Sequence, residues 1–327
     1  MEDKETNDEE LIVNDPSPSQ GQSKNDSPSK AISILIICLF IASIVFVIIA
    51  IVLYFAKNTK KSKIYEKYEF LNIIGEGSSG IIYKGKNKEN NEIVAIKKIP
   101  LNDERNNKKE DIENEMKFME IFSKFPNSVK LFDKYNDIDD EYYIVMELCE
   151  GAITQYLPDS KEGFTIYEIK VVMKQLNTIL HELRSREIIH DDMKLENILI
   201  KFKNNSKEFD VKLADYGKSK LLSTKKENEW GIKPITNETL IKELEKNDLY
   251  VIGVDLYRMY FNEKNVNIPL DDMQKKLNDI SDKELKNLVE QLLVKDYNIR
   301  IDWSGYFNHS FFDLDVIDYE NVTHIVK

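Results

Sequence analysis

Groups that can do chemistry are concentrated between two apolar runs, Ile188-Ile189 and Ile198-Leu199-Ile200. Between these runs lie an imidazole, two neighbouring carboxylates, an amine and an amide, carried by His190, Asp191, Asp192, Lys194 and Asn197. Apolar segments buried at both ends would hold so short a polar loop in place, and such a loop can carry a reactive site. The alternative is a polar turn in which one aspartate caps a helix.

A second candidate segment, Gly75 to Gly80, has glycines at its first, third and last positions. Glycines at this spacing let a backbone fold tightly and present its N–H groups to phosphate oxygens. A dinucleotide-binding fold would require a helix to open at these glycines. The residues Ile81 to Tyr83 are β-branched and aromatic, so they predict a return strand over Gly80 to Lys84, paired with a strand over Phe70 to Ile74.

Two charged side chains stand at the ends of other predicted strands. Val94 to Lys97 is an apolar strand that ends in one lysine, and Val211 to Gly217 places Asp215 at a strand end just before a glycine. A lysine at the end of a strand, such as Lys97, is often only a solvated side chain. The segment Tyr142 to Gly151 predicts a further apolar strand, which leads into a glycine turn.

Two helices are predicted to position these groups. Apolar residues recur every three or four positions from Ile166 to Leu183, which predicts an amphipathic helix of about 20 residues leading into the polar loop. A second helix over about Lys109 to Phe122 contains four glutamates, at positions 110, 113, 115 and 120. Glutamates on helices are mostly solvated, so a role for one of them depends on its surroundings.

In this order, the segments resemble the eukaryotic protein kinase family over about Tyr68 to Phe312. The pattern Asp192-x-Lys194-x-x-Asn197 resembles the serine/threonine branch. The resemblance implies an α+β fold of two lobes, a small five-stranded antiparallel sheet with one helix and a larger helical lobe, with ATP lying between them. It also implies roles for the polar loop: Asp192 accepts the proton of an attacking hydroxyl and Lys194 offsets charge on the transferred group, while Asn197 and Asp215 bind Mg²⁺.

The same resemblance implies an ATP site in which Lys97 grips the α and β phosphates. Glu115 is predicted to align that lysine, because the apolar residues around it place it like the glutamate of the family's third helix, with Glu113 as the fallback. Met146 would screen the back of the pocket, and the main chain would hold adenine. The predicted ATP-binding residues are Ile74, Gly75, Glu76, Gly77, Ser78, Ser79, Gly80, Ile82, Ala95, Lys97, Glu115, Met146, Glu147 and Cys149.

Two further family contacts are predicted in the large lobe: Asp248 bonds to the backbone of the polar loop, and Arg300 pairs with Glu238. The sequence also departs from the family pattern. Asp191 replaces an arginine that commonly clamps a phosphate on the activation segment, so we expect that switch to be absent and Asp191 to pair with a lysine between positions 218 and 226. The alternative is an exposed Asp191 without a partner. The substrate-docking segment is reduced to positions 231–234. The stretch between residues 260 and 285 is short for a full helix on the substrate side.

Composition excludes some classes of protein. A chain of 327 residues with 42% hydrophobic content can bury one large core or two modest ones. The formal charge of −12, with no long basic block, argues against a nucleic-acid-coating protein. Only Cys38 and Cys149 occur, so no disulfide framework is predicted, and a reducing compartment is expected for the main body.

The N-terminal part predicts a membrane anchor. Residues 31–56 have no charge and would extend about 39 Å as a helix, which exceeds the roughly 30 Å hydrocarbon core of a bilayer. An acidic disordered tail (1–30) precedes this transmembrane helix, and a basic juxtamembrane linker (57–67), the kinase domain (68–312) and a C-terminal tail (313–327) follow it. Lysines crowd the C-terminal side, so we expect the kinase domain in the cytosol and the N-terminus in the lumen or outside the cell.

Two functions fit these patterns. The first is a membrane-anchored serine/threonine protein kinase that uses ATP and Mg²⁺, acts on protein substrates, and contacts the lipid bilayer through residues 31–56. The alternative is a catalytically weak or inactive pseudokinase that serves as a scaffold at the membrane. The residues at positions 97, 115, 192, 197 and 215 favour catalysis, because a binding module needs no base.

Overall fold

A computed structural model describes residues 28–58, 63–77, 80–101, 109–136, 141–159, 162–204, 206–223, 229–314 and 316–326. The chain divides into two compact units, Met1–Lys61 and Ser62–Lys327. The predicted tail lies outside the described residues up to residue 27, and residues 28–30 begin the first helix. Residues 59–62 of the predicted linker also lie outside them.

The first unit contains one long helix, α1 (Pro28–Asn58). Within it, the 23 residues Ile32–Tyr54 are long and apolar enough to cross a bilayer, by length and composition alone. The large apolar side chains of this stretch are exposed. A helix over this stretch was predicted, and the observed one extends three residues before and two residues after the predicted bounds of 31–56.

The small lobe of the second unit is a five-stranded antiparallel sheet with one packed helix, as predicted. The strands are β1 (Tyr68–Gly77), β2 (Gly80–Asn87), β3 (Ile93–Pro100), β4 (Leu131–Asn136) and β5 (Glu141–Glu147); the helices are α2 (Ile64–Lys67) and α3 (Lys109–Phe122). The strands follow the spatial order β1-β2-β3-β5-β4. Four of the eight residues of the central strand β3 are β-branched, and one of the two faces of the sheet packs against α3.

The outer face of the sheet has its own apolar cluster, which α2 helps to bury. Ile64 is fully buried there with Tyr68, and Tyr65 packs at the edge of the cluster. Lys67 and the Tyr68 hydroxyl both bond to Asp133, at 2.7 and 2.5 Å. The part of the predicted linker from Ile64 onward is therefore integral to the folded domain.

The large lobe is mainly helical, and two small sheets lie beside its helices. Its helices are α4 (Ile166–Ser185), α5 (Glu238–Phe261), α6 (Leu270–Lys276), α7 (Lys283–Leu292) and α8 (Trp303–Phe307); its strands are β6 (Gly151–Ala152), β7 (Ile188–Ile189), β8 (Ile198–Phe202), β9 (Phe209–Leu213) and β10 (Lys220–Leu221). The strand order is β6-β8-β9 in one sheet and β10-β7 in the other. Between residues 260 and 285 the only α-helix that begins and ends there is the seven-residue α6.

Helix α4 begins at a capping box, because Thr165 and Glu168 each bond to the backbone of the other. Glu168 is also fully buried, and it accepts hydrogen bonds from the backbone of Thr323 and His324 at 2.8 and 2.7 Å. Ile325 is fully buried in the core nearby. The described part of the predicted tail thus packs onto the large lobe.

The predicted pair between Arg300 and Glu238 is wrong. The Arg300 guanidinium donates to main-chain carbonyls instead, to Val294 at 2.7 and 2.9 Å and to Lys246 at 2.5 Å, and it lies over the Tyr250 ring. Glu238 is exposed in the first turn of α5. The carbonyls satisfy the buried guanidinium, so it needs no carboxylate partner.

Candidate active site

The polar loop is held between β7 and β8, and Asp192 lies at the centre of its hydrogen bonds. One carboxylate oxygen of Asp192 accepts from Lys194 at 2.6 Å and from the Asn197 amide at 3.0 Å. The other accepts from Lys218 at 2.7 Å. Partial burial opposes ionisation, but these bonds from Lys194 and Lys218 lower the pKa of Asp192 to about 2. The carboxylate is therefore ionised at neutral pH and is able to accept a proton.

Asp248 of α5 is hydrogen-bonded to the backbone of the polar loop, as predicted. Its carboxylate accepts the N–H groups of His190 at 2.9 Å and Asp191 at 3.0 Å. Asp248 is only 2% exposed, and this burial raises its pKa to about 7. Because Asp191 has a positive φ of 56°, these two bonds hold a backbone conformation that is uncommon for a residue other than glycine.

Asp191 also has the lysine partner expected for it, because its carboxylate forms an ion pair with Lys220 in β10. Strand β10 pairs with β7, the strand that leads into the loop. Lys218, another lysine of the same segment, contacts Asp192 and not Asp191. Lys225 and Lys226 lie outside the described residues.

A buried network joins Lys97 to two carboxylates. The Lys97 ammonium lies 2.5 Å from the Glu115 carboxylate and 3.0 Å from the Asp215 carboxylate. Lys97 is 4% exposed and Glu115 is 5% exposed. Burial alone would lower the pKa of Lys97, but the two carboxylates raise it above its ordinary value, so the ammonium stays charged. Burial likewise opposes ionisation of Asp215, but Lys97 holds the pKa of Asp215 below its usual range.

Of the two glutamates considered for the partner of Lys97, Glu115 and not Glu113 lies beside its ammonium. Glu113 leaves 45% of its side chain exposed, and its one ion pair within the described part of the chain is with Lys109, at 3.8 Å. Glu115 faces the core with Met116 and Met119, because residues three and four apart on α3 share one face.

A cavity of about 500 Å³ lies between the two lobes, within the range typical of small-molecule sites. Twelve of the predicted ATP-binding residues line this cavity, and so do the predicted metal ligands Asn197 and Asp215. The predicted catalytic residues Asp192 and Lys194 are not part of its wall. Ser78 and Ser79 lie outside the described residues. The twelve are Ile74, Gly75, Glu76, Gly77, Gly80, Ile82, Ala95, Lys97, Glu115, Met146, Glu147 and Cys149.

The sequence predictions missed other residues of the cavity wall. They lie on α3, in the segment 148–155, beside Asn197, on β8 and just before Asp215. No local pattern marks these positions, although several adjoin predicted motifs. They are Met119, Leu148, Gly151, Ala152, Gln155, Glu196, Leu199 and Ala214.

Gly80 shows why the glycine segment requires glycine at its last position. Its φ is +133°, and a Cβ there would lie 2.3 Å from the Lys98 carbonyl oxygen. Any larger residue would push β2 away from β3 at the mouth of the cavity.

The residues at the cavity fit a nucleotide with a magnesium ion. The Asn197 amide nitrogen bonds to the Asp192 carbonyl at 2.8 Å, which leaves the amide oxygen as the atom that can bind a cation. Asp215 supplies a carboxylate whose side chain is 29% exposed. The described residues contain no group of three or more His, Cys, Asp or Glu placed to hold a metal. A site with few protein ligands suits Mg²⁺, which keeps water and binds substrate phosphates; when bound, the ion offsets phosphate charge.

The two-lobed fold and the arrangement of these residues define a protein kinase domain. The chain belongs to this family, since the family model described as "Protein kinase domain" matches residues 68–312. It is 30% identical over 261 residues to serine/threonine-protein kinase 36 of Pongo abelii, 29% over 264 residues to serine/threonine-protein kinase atg1 of Dictyostelium discoideum, and 30% over 294 residues to calcium-dependent protein kinase 5 of Plasmodium berghei. These relatives support a kinase of the serine/threonine type.

The alignments cover 75%, 74% and 82% of this chain but only 19%, 38% and 48% of those three relatives. The chain therefore spans less than half the length of each of them.

Proposed function

We propose that this chain is a catalytically active, membrane-anchored kinase that transfers the γ-phosphate of ATP to serine or threonine hydroxyls of proteins. The observation that carries this proposal is the buried network in which Lys97 contacts both Glu115 and Asp215 at the cavity. A scaffold does not need a lysine held between two carboxylates at the cavity. It also does not need an ionised Asp192 that is hydrogen-bonded to Asn197 of the cavity wall. Asn197 and Asp215 would hold Mg²⁺, and the main chain at Glu147 and Cys149 would hold adenine.

The direct test is phosphoryl transfer by the full-length chain in detergent micelles, with labelled ATP, Mg²⁺ and generic protein substrates. We expect label on serine and threonine and none on tyrosine, together with complete loss of transfer when EDTA removes the metal. Acid hydrolysis and separation of the phosphoamino acids identify the acceptor. A chain that binds ATP without measurable transfer would instead support the inactive scaffold.

The proposed anchor is α1, with the kinase domain in the cytosol. Four acceptor sequons then stay unglycosylated, because glycosylation occurs on the lumenal side. They begin at Asn204, Asn237, Asn308 and Asn321. The segment that we expect to be lumenal has one natural sequon, beginning at Asn25, and the matched control Glu9→Ser creates a second one beginning at Asn7.

The measurement is a glycosidase-sensitive mass shift after expression in cells. We expect any shift of the unaltered chain to map to Asn25, and the Glu9→Ser chain to show a further shift that maps to Asn7. A shift mapped to any of the four sequons beginning at Asn204, Asn237, Asn308 and Asn321 reverses the topology.

The ion pair between Asp191 and Lys220 predicts that phosphorylation does not activate this kinase. A phosphate on Ser223 or Thr224 would be repelled by Asp191, so we expect such modification to inhibit or do nothing. Asp191→Ala should lower the activity of unphosphorylated enzyme by up to about fivefold, because partly exposed ion pairs contribute about 0–1 kcal/mol. Lys220→Ala should match it, and the double variant should lose no more. Strong activation by phosphorylation, with Asp191→Ala silent, contradicts the prediction.

A further inference from the structure

Tyr216 carries a buried hydroxyl next to the predicted metal ligand Asp215. The ring is fully buried, and the hydroxyl lies 2.7 Å from Oγ of Ser128, which is also fully buried. A buried hydroxyl without a partner is disfavoured by a factor of roughly five to a hundred. The two side chains therefore depend on each other.

Ser128 lies on a segment that is bonded to the strand leading into Asp215. The Val129 N–H donates to the Leu213 carbonyl at 3.0 Å, and the Leu213 N–H donates to the Asn127 carbonyl at 2.9 Å. The Asn127 side chain donates to the Val211 carbonyl at 2.9 Å. Ser128 is thus fixed relative to β9.

The Tyr216 ring also contacts the helix that carries Glu115. It stacks on Phe122 of α3, with ring centroids 5.4 Å apart and planes 12° apart. On another side, the His190 ring lies 5.3 Å away. Burial lowers the pKa of His190, so this neighbour is neutral at physiological pH. The ring is therefore held by α3 and by the polar loop, whereas the hydroxyl is held by Ser128.

Asp215 has an unfavourable backbone conformation that needs such support. Its φ and ψ are 62° and 75°, in the left-handed region that side-chain-bearing residues seldom adopt. In this conformation its carboxylate reaches Lys97 at 3.0 Å. The bond between Tyr216 and Ser128 forms only while Tyr216 occupies its pocket, so it favours the state in which Asp215 faces the cavity.

We propose that Ser128 and Tyr216 are positioning residues, and that the bond between their hydroxyls keeps Asp215 turned toward the cavity and ready for Mg²⁺ before any nucleotide binds. The proposal builds on the proposed kinase activity. Its first test needs neither nucleotide nor transfer, so the two can fail separately.

The test compares Ser128→Ala, Tyr216→Phe and the double variant in the full-length chain. Ser128→Ala leaves the tyrosine hydroxyl buried without a partner, so it should have the largest effect. Tyr216→Phe leaves only the small hydroxyl of Ser128, which can turn toward a carbonyl. The double variant leaves neither hydroxyl of the pair. We expect amide hydrogen exchange of residues 214–218 to be about tenfold faster in Ser128→Ala, and to return within about threefold of the unaltered rate in the double variant.

A second readout separates positioning from general destabilisation. At saturating ATP, Ser128→Ala should raise the Mg²⁺ concentration for half-maximal transfer about tenfold, while kcat at saturating Mg²⁺ falls less than about threefold. If the chain transfers no phosphate, we expect the variants to rank in the same order by the Mg²⁺ concentration that they need to bind a fluorescent ATP analogue.

The matched control is Asn177→Ala. Asn177 accepts a 2.7 Å bond from the buried Tyr306 hydroxyl in the large lobe, away from the cavity. We expect this variant to lower the melting temperature as Ser128→Ala does, without faster exchange at residues 214–218 or a change in Mg²⁺ dependence. Unchanged exchange at these residues in Ser128→Ala, or a double variant as impaired as Ser128→Ala, overturns the proposal.

Discussion

Asp192→Asn and Asp215→Asn are each expected to lower phosphoryl transfer at least about 100-fold, for different reasons. Asparagine at position 192 keeps an acceptor oxygen but cannot take the proton of an attacking hydroxyl, and general-base catalysis typically contributes 10²- to 10⁴-fold. The Asp192 carboxylate has a pKa of about 2, so the unaltered enzyme has the base in its ionised form throughout the neutral range. Asparagine at position 215 removes the anionic ligand of the predicted Mg²⁺ site.

The two variants should separate in nucleotide binding. Asp192 does not line the cavity, whereas Asp215 does and contacts Lys97 at 3.0 Å. We therefore expect Asp192→Asn to bind ATP with Mg²⁺ as the unaltered chain does, and Asp215→Asn to lose most of the effect of Mg²⁺ on ATP affinity. Equilibrium binding of a fluorescent ATP analogue, with and without Mg²⁺, measures this difference. Either variant being as active as the unaltered chain would falsify the assigned roles.

Glu115→Gln is the second change with a large expected effect. It removes the charge that balances Lys97 in a site where both residues are about 5% exposed. Removing one partner of a buried ion pair costs about 3–5 kcal/mol. Asp215 remains as a second partner of Lys97, so we expect a loss of about 3 kcal/mol, at the lower end.

Activity should fall together with stability, because Lys97 would move toward Asp215 and away from the position in which it can hold phosphates. We expect at least about a tenfold loss of transfer, equivalent to about 1.4 kcal/mol. Urea unfolding and transfer assays measure the two effects. Glu113→Gln is the control on the same helix, and its free energy of unfolding should change by less than about 0.5 kcal/mol because its side chain is largely solvated. Equal effects at both positions would show that the pairing of Lys97 with Glu115 has no energetic role.

Residues within one element could be assigned from the sequence because periodicity decides which side chains share a face. Glu115 was chosen among four glutamates because its apolar neighbours place it like the glutamate in the third helix of the protein kinase family, and α3 has the predicted bounds. The 20 residues of α4 were predicted in the same way, from apolar spacing. Strands β1, β2 and β3 are longer in the structure than in the prediction, because pairing in the sheet extends them, and β1 reaches Gly77.

Partners that lie far apart in sequence were harder to predict. Arg300 was assigned a carboxylate, but it binds carbonyl oxygens, and every residue has a carbonyl, so no residue type reveals this contact. Glu168 has the sequence signature of a capping box, yet nothing near it indicates its bonds to residues 323 and 324. The hydroxyl of Tyr216 finds Ser128 across 88 positions. Such contacts depend on tertiary packing, which local patterns do not encode.

Cys149 lines the nucleotide cavity, and burial raises the pKa of its thiol to about 12. At neutral pH the thiol is therefore protonated, and the thiolate is the form that reacts with electrophiles and peroxide. Covalent inhibitors aimed at this cysteine would therefore gain little from its intrinsic reactivity and would depend on how closely they are held against it. For the same reason, oxidants in the surrounding compartment are not expected to switch nucleotide binding on or off.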